Sequence, residues 1–204
     1  TGIELDPTAA AMAEKALDKV LIGDVEAMHL PFPEDYFDCI CCADVLEHLK
    51  DPWKTLEKIK KHLVPEGMLI ISLPNIAFYE IVFGMIQGYW TYTDHGILDQ
   101  THLRFFTPIE AQRMLEGCGF EIVTVEPLCC VNETILPRDD AGYVSVWGMR
   151  LGPLDDRQYL TLRTFQTLLI ARRPPTNLLN AAKASLEAGD FMRAYRLTLL
   201  AKRD

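Results

Sequence analysis

Two carboxylates and an imidazole crowd the segment Asp44-Val-Leu-Glu47-His48, directly after the apolar run Phe37–Ala43, and a second imidazole follows in Thr101-His102-Leu-Arg104. A histidine with a pKa near ~6.5 can remove the proton of an alcohol close to neutral pH. Two carboxylates and two imidazoles are also a workable donor set for a divalent ion. A purely structural role is the third reading, because acids and histidines commonly settle at helix starts. We take His48, Glu47 and His102 as the catalytic group, with His102 approaching from a lid, and assign no resident metal.

Two further acids stand where strands give way to turns. Glu4 closes the run Ile3–Leu5 ahead of a helical stretch, and a carboxylate there can accept from both hydroxyls of a ribose. Alone, it reads equally well as a helix-capping acid. Asp24 and Val25 follow the next short strand. The carboxylate suits an adenine amino group, and the branched side chain can cover the ring face. The alternative is a turn aspartate after Gly23. Two acids after two consecutive strands favour the nucleoside reading, and Leu5 and Glu26 stand beside them in the candidate cofactor-binding set. A Gly-rich loop is expected roughly 20 residues upstream of such a ribose acid, which places it before Thr1.

The elements that must position these groups alternate between short apolar runs and helical patterns, the signature of a parallel sheet with helices on both faces. Pro7–Lys19 carries strong helix formers in AAAMAEKALDK, and Val20–Gly23 is a short strand. Phe37–Ala43 is predicted to be buried on both faces, as continuous apolar strands are. Asp51-Pro52 caps a helix whose stripe is Trp53, Leu56, Ile59 and Leu63, and Met68–Leu73 is the next buried strand. Thr107-Pro-Ile-Glu110 is a capping box for a helix through Cys118, closed by Gly119. Phe120–Glu126 and Thr164–Arg172 finish the sheet, the second as an antiparallel edge strand. Residues 76–103 and 127–162 interrupt the alternation and read as substrate-binding lids. Tyr89, Trp90 and Tyr92, with Asp94 and His95, could stack on a sugar-like acceptor or simply pack as lid core.

Composition removes options. With 20 Lys+Arg against 29 Asp+Glu, the net charge of −9 gives no basic run for a nucleic-acid backbone or an anionic membrane surface. No apolar run is long enough to span a bilayer. Six cysteines show no paired C-x-x-C spacing and read as reduced thiols of a cytoplasmic protein.

Taken in order, GIELDP, GDVEAMHLPFPEDYFD, CADVLEHLKDP, LVPEGMLIISLPN, LRFFTPIEAQRMLEGCGFEI and LLIARRP resemble the class I S-adenosylmethionine-dependent methyltransferases, and most closely bacterial members that stand beside or are fused to sugar transferases. The resemblance implies a Rossmann-like methyltransferase fold, α/β with a mostly parallel sheet, and S-adenosylmethionine as cofactor. It implies Glu4 at the ribose, Asp24 and Val25 at the adenine, and Ala43–Asp44 beside the methionine moiety. The D-x-x-E-H pattern with a later histidine also resembles the E-x-x-E-H…H metal site of small-RNA 2'-O-methyltransferases, with Asp in place of the first Glu.

The expected organisation is a methyltransferase domain over 1–175, lacking its first strand and Gly-rich loop, and a helical hairpin over 176–204. The hairpin reads as a docking element or half of a tetratricopeptide-like unit. In the family's sheet the first strand lies between the strand ending at Glu4 and Phe37–Ala43. The sequence is therefore expected to leave two strand edges unpaired, to form no stable monomer with an intact sheet, and to bind cofactor weakly by itself. The expected acceptor is a hydroxyl of a sugar or small metabolite, and the expected protein partner a glycosyltransferase or a second copy. A nicotinamide dehydrogenase would share the ribose acid but explains neither GDVE nor D-x-x-E-H. A non-catalytic binding or assembly module on the same fold is the rival from another class.

Overall fold

The computed structural model describes residues 1–201. Strand β1 (Gly2–Glu4) pairs in parallel with β2 (Val20–Ile22), and helix α1 (Pro7–Ala13) connects them. A second sheet contains β3 (Phe37–Ala43), β4 (Leu63–Pro74), β5 (Glu121–Cys130) and β8 (Thr164–Arg172), in the order β3-β4-β8-β5. β3 runs parallel to β4, while β8 is antiparallel to both β4 and β5. Hence β3, β4 and β5 point one way and β8 alone opposes them. This is the Rossmann-like α/β arrangement expected. The antiparallel strand sits one place inside the edge, however, with β5 outermost. Burial explains the order: Leu169 and Ala171 of β8 are fully buried, whereas Val123 of β5 is exposed.

Among the described residues no ladder joins β1–β2 to the four-stranded sheet. Side chains make the link instead. The Glu26 carboxylate accepts from the Lys50 and Asp51 amides at 3.0 and 2.8 Å, and Lys58 Nζ donates to the Val25 carbonyl at 2.8 Å and to that of Met28. β3 differs from expectation. Ile40 and Cys42 pack on the core while Cys39, Cys41 and Ala43 on the opposite face are exposed. Its apolar run is therefore covered on one face rather than two, and β4 is its only ladder partner among the described residues.

Helix α2 (Pro52–Lys60) starts where Asp51 accepts from the Lys54 amide at 3.0 Å. Its buried stripe is Pro52, Thr55, Leu56 and Ile59. Trp53 is half exposed, and Leu63 belongs to β4. α1 is likewise shorter than its composition suggests, because tight turns at Lys15 and Ala16 break the helical ladder before β2. Helix α4 (Pro108–Gly117) is capped by Thr107 Oγ1, which accepts from the Glu110 amide at 3.2 Å, and Gly119 closes it at φ +77°. Removing such a cap commonly destabilises by about 1 kcal/mol. Thr107→Ala should therefore lower unfolding stability by roughly that amount in urea titration, with Thr107→Ser nearly neutral.

The two interrupting segments meet. The first carries α3 (Tyr79–Ile86); the second carries the hairpin β6 (Val144–Val146) and β7 (Met149–Leu151) and then α5 (Asp156–Arg163). Phe78, Phe83, Ile97, Leu136, Val144 and Leu162 from both segments form a second apolar core. The lids are thus one packed substructure. Helices α6 (Leu178–Glu187) and α7 (Phe191–Leu200) form the C-terminal hairpin, turning at Gly189 with φ +80°. Arg193 pairs with Glu66 at 2.6 Å and with Glu121 at 3.3 Å, which docks the hairpin on the sheet.

Candidate active site

The chemistry-bearing turn begins where β3 ends. Asp44 adopts φ 51°, a left-handed conformation that short polar side chains tolerate. Its amide donates to Ser72 Oγ at 3.1 Å, and its Oδ1 accepts from Ser72 Oγ at 3.0 Å and from Gln166 Nε2. The Asp44 Oδ1 is thereby tied to β4 and β8 through Ser72 and Gln166.

A short 3-10 turn, Leu46–His48, follows and buries Leu46 and Glu47. The Glu47 carbonyl accepts from the amides of Leu103 and Arg104 at 2.8 and 3.0 Å, which pins the segment carrying His102 against the turn. The Glu47 side chain is only 1% exposed, and neither carboxylate oxygen has a hydrogen-bond partner. Burial drives its pKa up to about 7, and the Asp44 charge adds a smaller push.

Partners fix the tautomers of both histidines. His102 Nδ1 lies 3.0 Å from the Ile97 carbonyl, which only accepts, so Nδ1 carries the proton and Nε2 the lone pair. Thr101 Oγ1 donates to Asp99 Oδ1 at 2.6 Å and lies 3.1 Å from His48 Nδ1. The Thr101 proton being committed to Asp99, its oxygen accepts from His48 Nδ1–H, again leaving Nε2 free. Asp99 is held below the usual carboxylate range, first by the Thr101 side chain and backbone, then by His102 and His48. The two rings meet edge to face at 4.7 Å, His102 buried and His48 exposed. One donor atom each from Glu47, His48 and His102 lie within 4.8 Å of one another.

Aromatic rings lead outward from this group. Phe105 lies 6.4 Å from His102 and 5.2 Å from Trp90, which contacts Tyr92 at 6.4 Å. Tyr89, Trp90 and Tyr92 are substantially exposed, so they are available for stacking rather than spent as core. Asp94 accepts from Gln100 at 3.0 Å. Tyr89 also lines a surface cleft of about 500 Å³ with Leu98 and Trp147, the last supplied by the β6–β7 hairpin.

The nucleoside candidates form a second group. Glu4 Oε1 accepts from the Asp6 amide at 3.0 Å, and Asp24 Oδ1 from the Glu26 amide at 2.8 Å. Both acids thus play the turn role alongside any binding role, with the second oxygen of each outside these bonds. Leu5 is exposed and Val25 is partly buried against the core. Glu26 uses both carboxylate oxygens to hold the start of α2, a clip that sequence reasoning missed. Also missed were Asp99 and Thr101, which orient His48, and Ser72 and Gln166, which take Asp44. The T-H beside a nearby aspartate in Asp99-Gln-Thr-His102 was the only local signal for the first pair.

Comparisons with known proteins converge on one family. The family model described as a methyltransferase domain matches residues 1–125. Over 63 residues the chain is 38% identical to a ubiquinone/menaquinone biosynthesis C-methyltransferase of Proteus mirabilis, covering 28% of this chain and 25% of that one. Over 94 residues it is 29% identical to a ubiquinone biosynthesis O-methyltransferase of Rickettsia conorii, covering 45% and 32%. The match thus spans a third or less of the length of these curated relatives. Among solved structures, a SAM-dependent methyltransferase from Archaeoglobus fulgidus superposes with a TM-score of 0.58 at 18% identity, over 84% of this chain and 74% of that one. At this identity the likeness supports the fold.

Proposed function

The chain belongs to the methyltransferase domain family, and from that premise we propose that it transfers a methyl group from S-adenosylmethionine to a hydroxyl of a sugar or another small metabolite. The carrying observation is the buried, unpartnered Glu47 carboxylate set against two imidazoles whose Nε2 lone pairs are free. In this reading Glu4 takes the ribose hydroxyls, Asp24 the adenine amino group with Val25 on the ring, and Leu5 and Glu26 border them. Ala43 and Asp44 flank the methionine end.

Methyl transfer from a sulfonium is an in-line displacement. The carbon–sulfur bond breaks with its electron pair left on sulfur, the new bond forms to the acceptor oxygen, and the hydroxyl proton leaves to a base. Close in-line placement supplies much of the acceleration. The Nε2 of His48 is the base on the exposed side of the group, and the Asp99–Thr101 chain holds its ring in the tautomer that can accept. His102 is fixed behind it by Ile97. The exposed Trp90 and Tyr92 rings offer faces for the apolar side of a sugar ring. The relatives include both a C- and an O-methyltransferase, so oxygen as acceptor rests on the base geometry.

The same proposal carries a methyltransferase domain over 1–175 and an appended hairpin over 176–204, of which 202–204 lie outside the described residues, a cytoplasmic setting, and a glycosyltransferase or a second copy as partner. No helix among the described residues is long and apolar enough to cross a membrane. The cofactor site is testable by itself. Glu4→Ala should weaken S-adenosylmethionine binding by ~1–3 kcal/mol, the range for a lost hydrogen-bond acceptor that is charged. Calorimetry showing unchanged affinity with the fold intact would remove Glu4 from the site.

A further inference from the structure

We propose that the cleft walled by Tyr89, Leu98 and Trp147 binds a neutral aromatic appendage of the acceptor, so that the substrate is an aryl glycoside, a sugar joined to a flat apolar ring. The inference rests on the proposed function and names the substrate class of that site. Its centre is Trp147. Strands β6 and β7 pair Val146 with Met149, which leaves Trp147 and Gly148 as a two-residue turn. Both adopt positive φ, 50° and 79°, the type I′ geometry in which Asn, Asp or Gly is favoured at the first place. A bulky residue in left-handed backbone is an outlier, and such outliers collect at ligand clamps. Burial does not explain this one, because Trp147 is more than half exposed.

The cleft gives the ring a task. Trp147 and Tyr89 line a hollow of about 500 Å³ that has Ile81 and Leu98 among its apolar walls. Ligand sites commonly have this size and are mostly apolar. Tyr89 is also more than half exposed, and flat rings pack favourably against the faces and edges of Trp and Tyr. Charge narrows the class. Glu80 is the one acid of the lining, and its carboxylate accepts from the Tyr79 hydroxyl at 2.9 Å. Among the described residues no Lys, Arg or His lines the cleft, so a phosphate or carboxylate on the appendage would meet no counter-charge there.

Position ties the cleft to the reaction. Leu98 sits between Ile97, whose carbonyl holds His102, and Asp99, which holds Thr101 and through it His48. Tyr89 precedes Trp90, whose ring meets Phe105 at 5.2 Å, and Phe105 in turn lies 6.4 Å from His102. One stretch of the lid therefore orients both imidazoles and walls the cleft. Trp90, the stacking face for the sugar, links the two along this chain of contacts.

The probes are 2-naphthyl β-glucoside and methyl β-glucoside, which share a sugar and differ in the aglycone. Each is titrated into the full chain, isotopically labelled, and followed by amide shifts. The wild-type protein should bind the naphthyl compound at least about tenfold tighter, with shifts at Tyr89, Leu98 and Trp147–Gly148. Trp147→Asn should abolish that difference while its urea midpoint stays level or rises, because it places the favoured Asn-Gly pair in the turn. Trp147→Phe should keep most of the difference. Equal affinity for the two glucosides, no saturable binding of the naphthyl compound at millimolar concentration, or a difference that survives Trp147→Asn overturns the inference. So does a wild-type dimer that Trp147→Asn converts to monomer, since the cleft is then a self-association surface. S-adenosylhomocysteine is titrated separately. Its binding at Glu4 and Asp24, alongside a negative glucoside result, leaves the proposed function standing without the aromatic appendage.

Discussion

Replacing His48 by alanine should lower methyl-transfer turnover by roughly two orders of magnitude or more, the usual contribution of a positioned acid–base group, while S-adenosylmethionine affinity stays nearly constant. The split follows from position. His48 lies on the 3-10 turn after β3 and bonds through Nδ1 to Thr101, whereas the nucleoside candidates Glu4 and Asp24 lie at the ends of β1 and β2. An imidazole that acts as a metal ligand gives the same loss, and turnover that survives a chelator separates the two roles. Thr101→Val should reproduce part of the loss, because it removes the oxygen that fixes the His48 tautomer while leaving the imidazole present. Full turnover in His48→Ala, with cofactor binding intact, would reduce His48 to a structural residue.

The second large effect is electrostatic and runs against the common behaviour of carboxylates. Glu47 titrates at about 7 in the fold, against 4.5 for an ordinary glutamate, because burial penalises its charge. The folded state therefore holds the proton more tightly than the unfolded chain between those values. Stability in metal-free protein is complete below about pH 4.5 as far as Glu47 is concerned, falls as pH rises through the window to about 7, and is level above it. The loss across that window is at most about 3 kcal/mol, at 1.36 kcal/mol per pH interval of one. Glu47→Gln should flatten this slope and be the more stable protein at pH 8. Urea denaturation of both proteins at pH 5 and pH 8, with chelator present, measures the difference. Equal slopes for the two proteins would mean that Glu47 is solvated or partnered in solution.

Much of the scaffold was legible because its signals are local. Thr107 and Asp51 announce helix starts, Gly119 and Gly189 announce ends, and the apolar runs became β3, β4, β5 and β8. Glu47, His48 and His102 were legible as residue types in a suggestive order. What escaped depends on contacts distant in sequence. Gln166 reaches Asp44 across 122 positions, and nothing near Asp44 signals that its carboxylate bonds to β8. The fusion of residues 76–103 with 127–162 into one core was hidden for the same reason, because each segment alone looks like an irregular loop. Exposure on one face of β3 was misread because Phe37–Ala43 has the composition of a fully covered strand, while coverage is decided by neighbours.

The account's central claim is that the carboxyl ends of β1, β2 and β3 form one nucleoside-cofactor site beside the Glu47–His48–His102 group. The most direct test is to titrate S-adenosylhomocysteine into isotopically labelled protein and follow backbone amide shifts, a measurement that registers even weak binding. The account predicts saturable shifts concentrated at Glu4–Leu5, Asp24–Glu26 and Ala43–Asp44, with smaller ones at Glu47–His48. Shifts confined to other surfaces, or none at millimolar ligand, would contradict it.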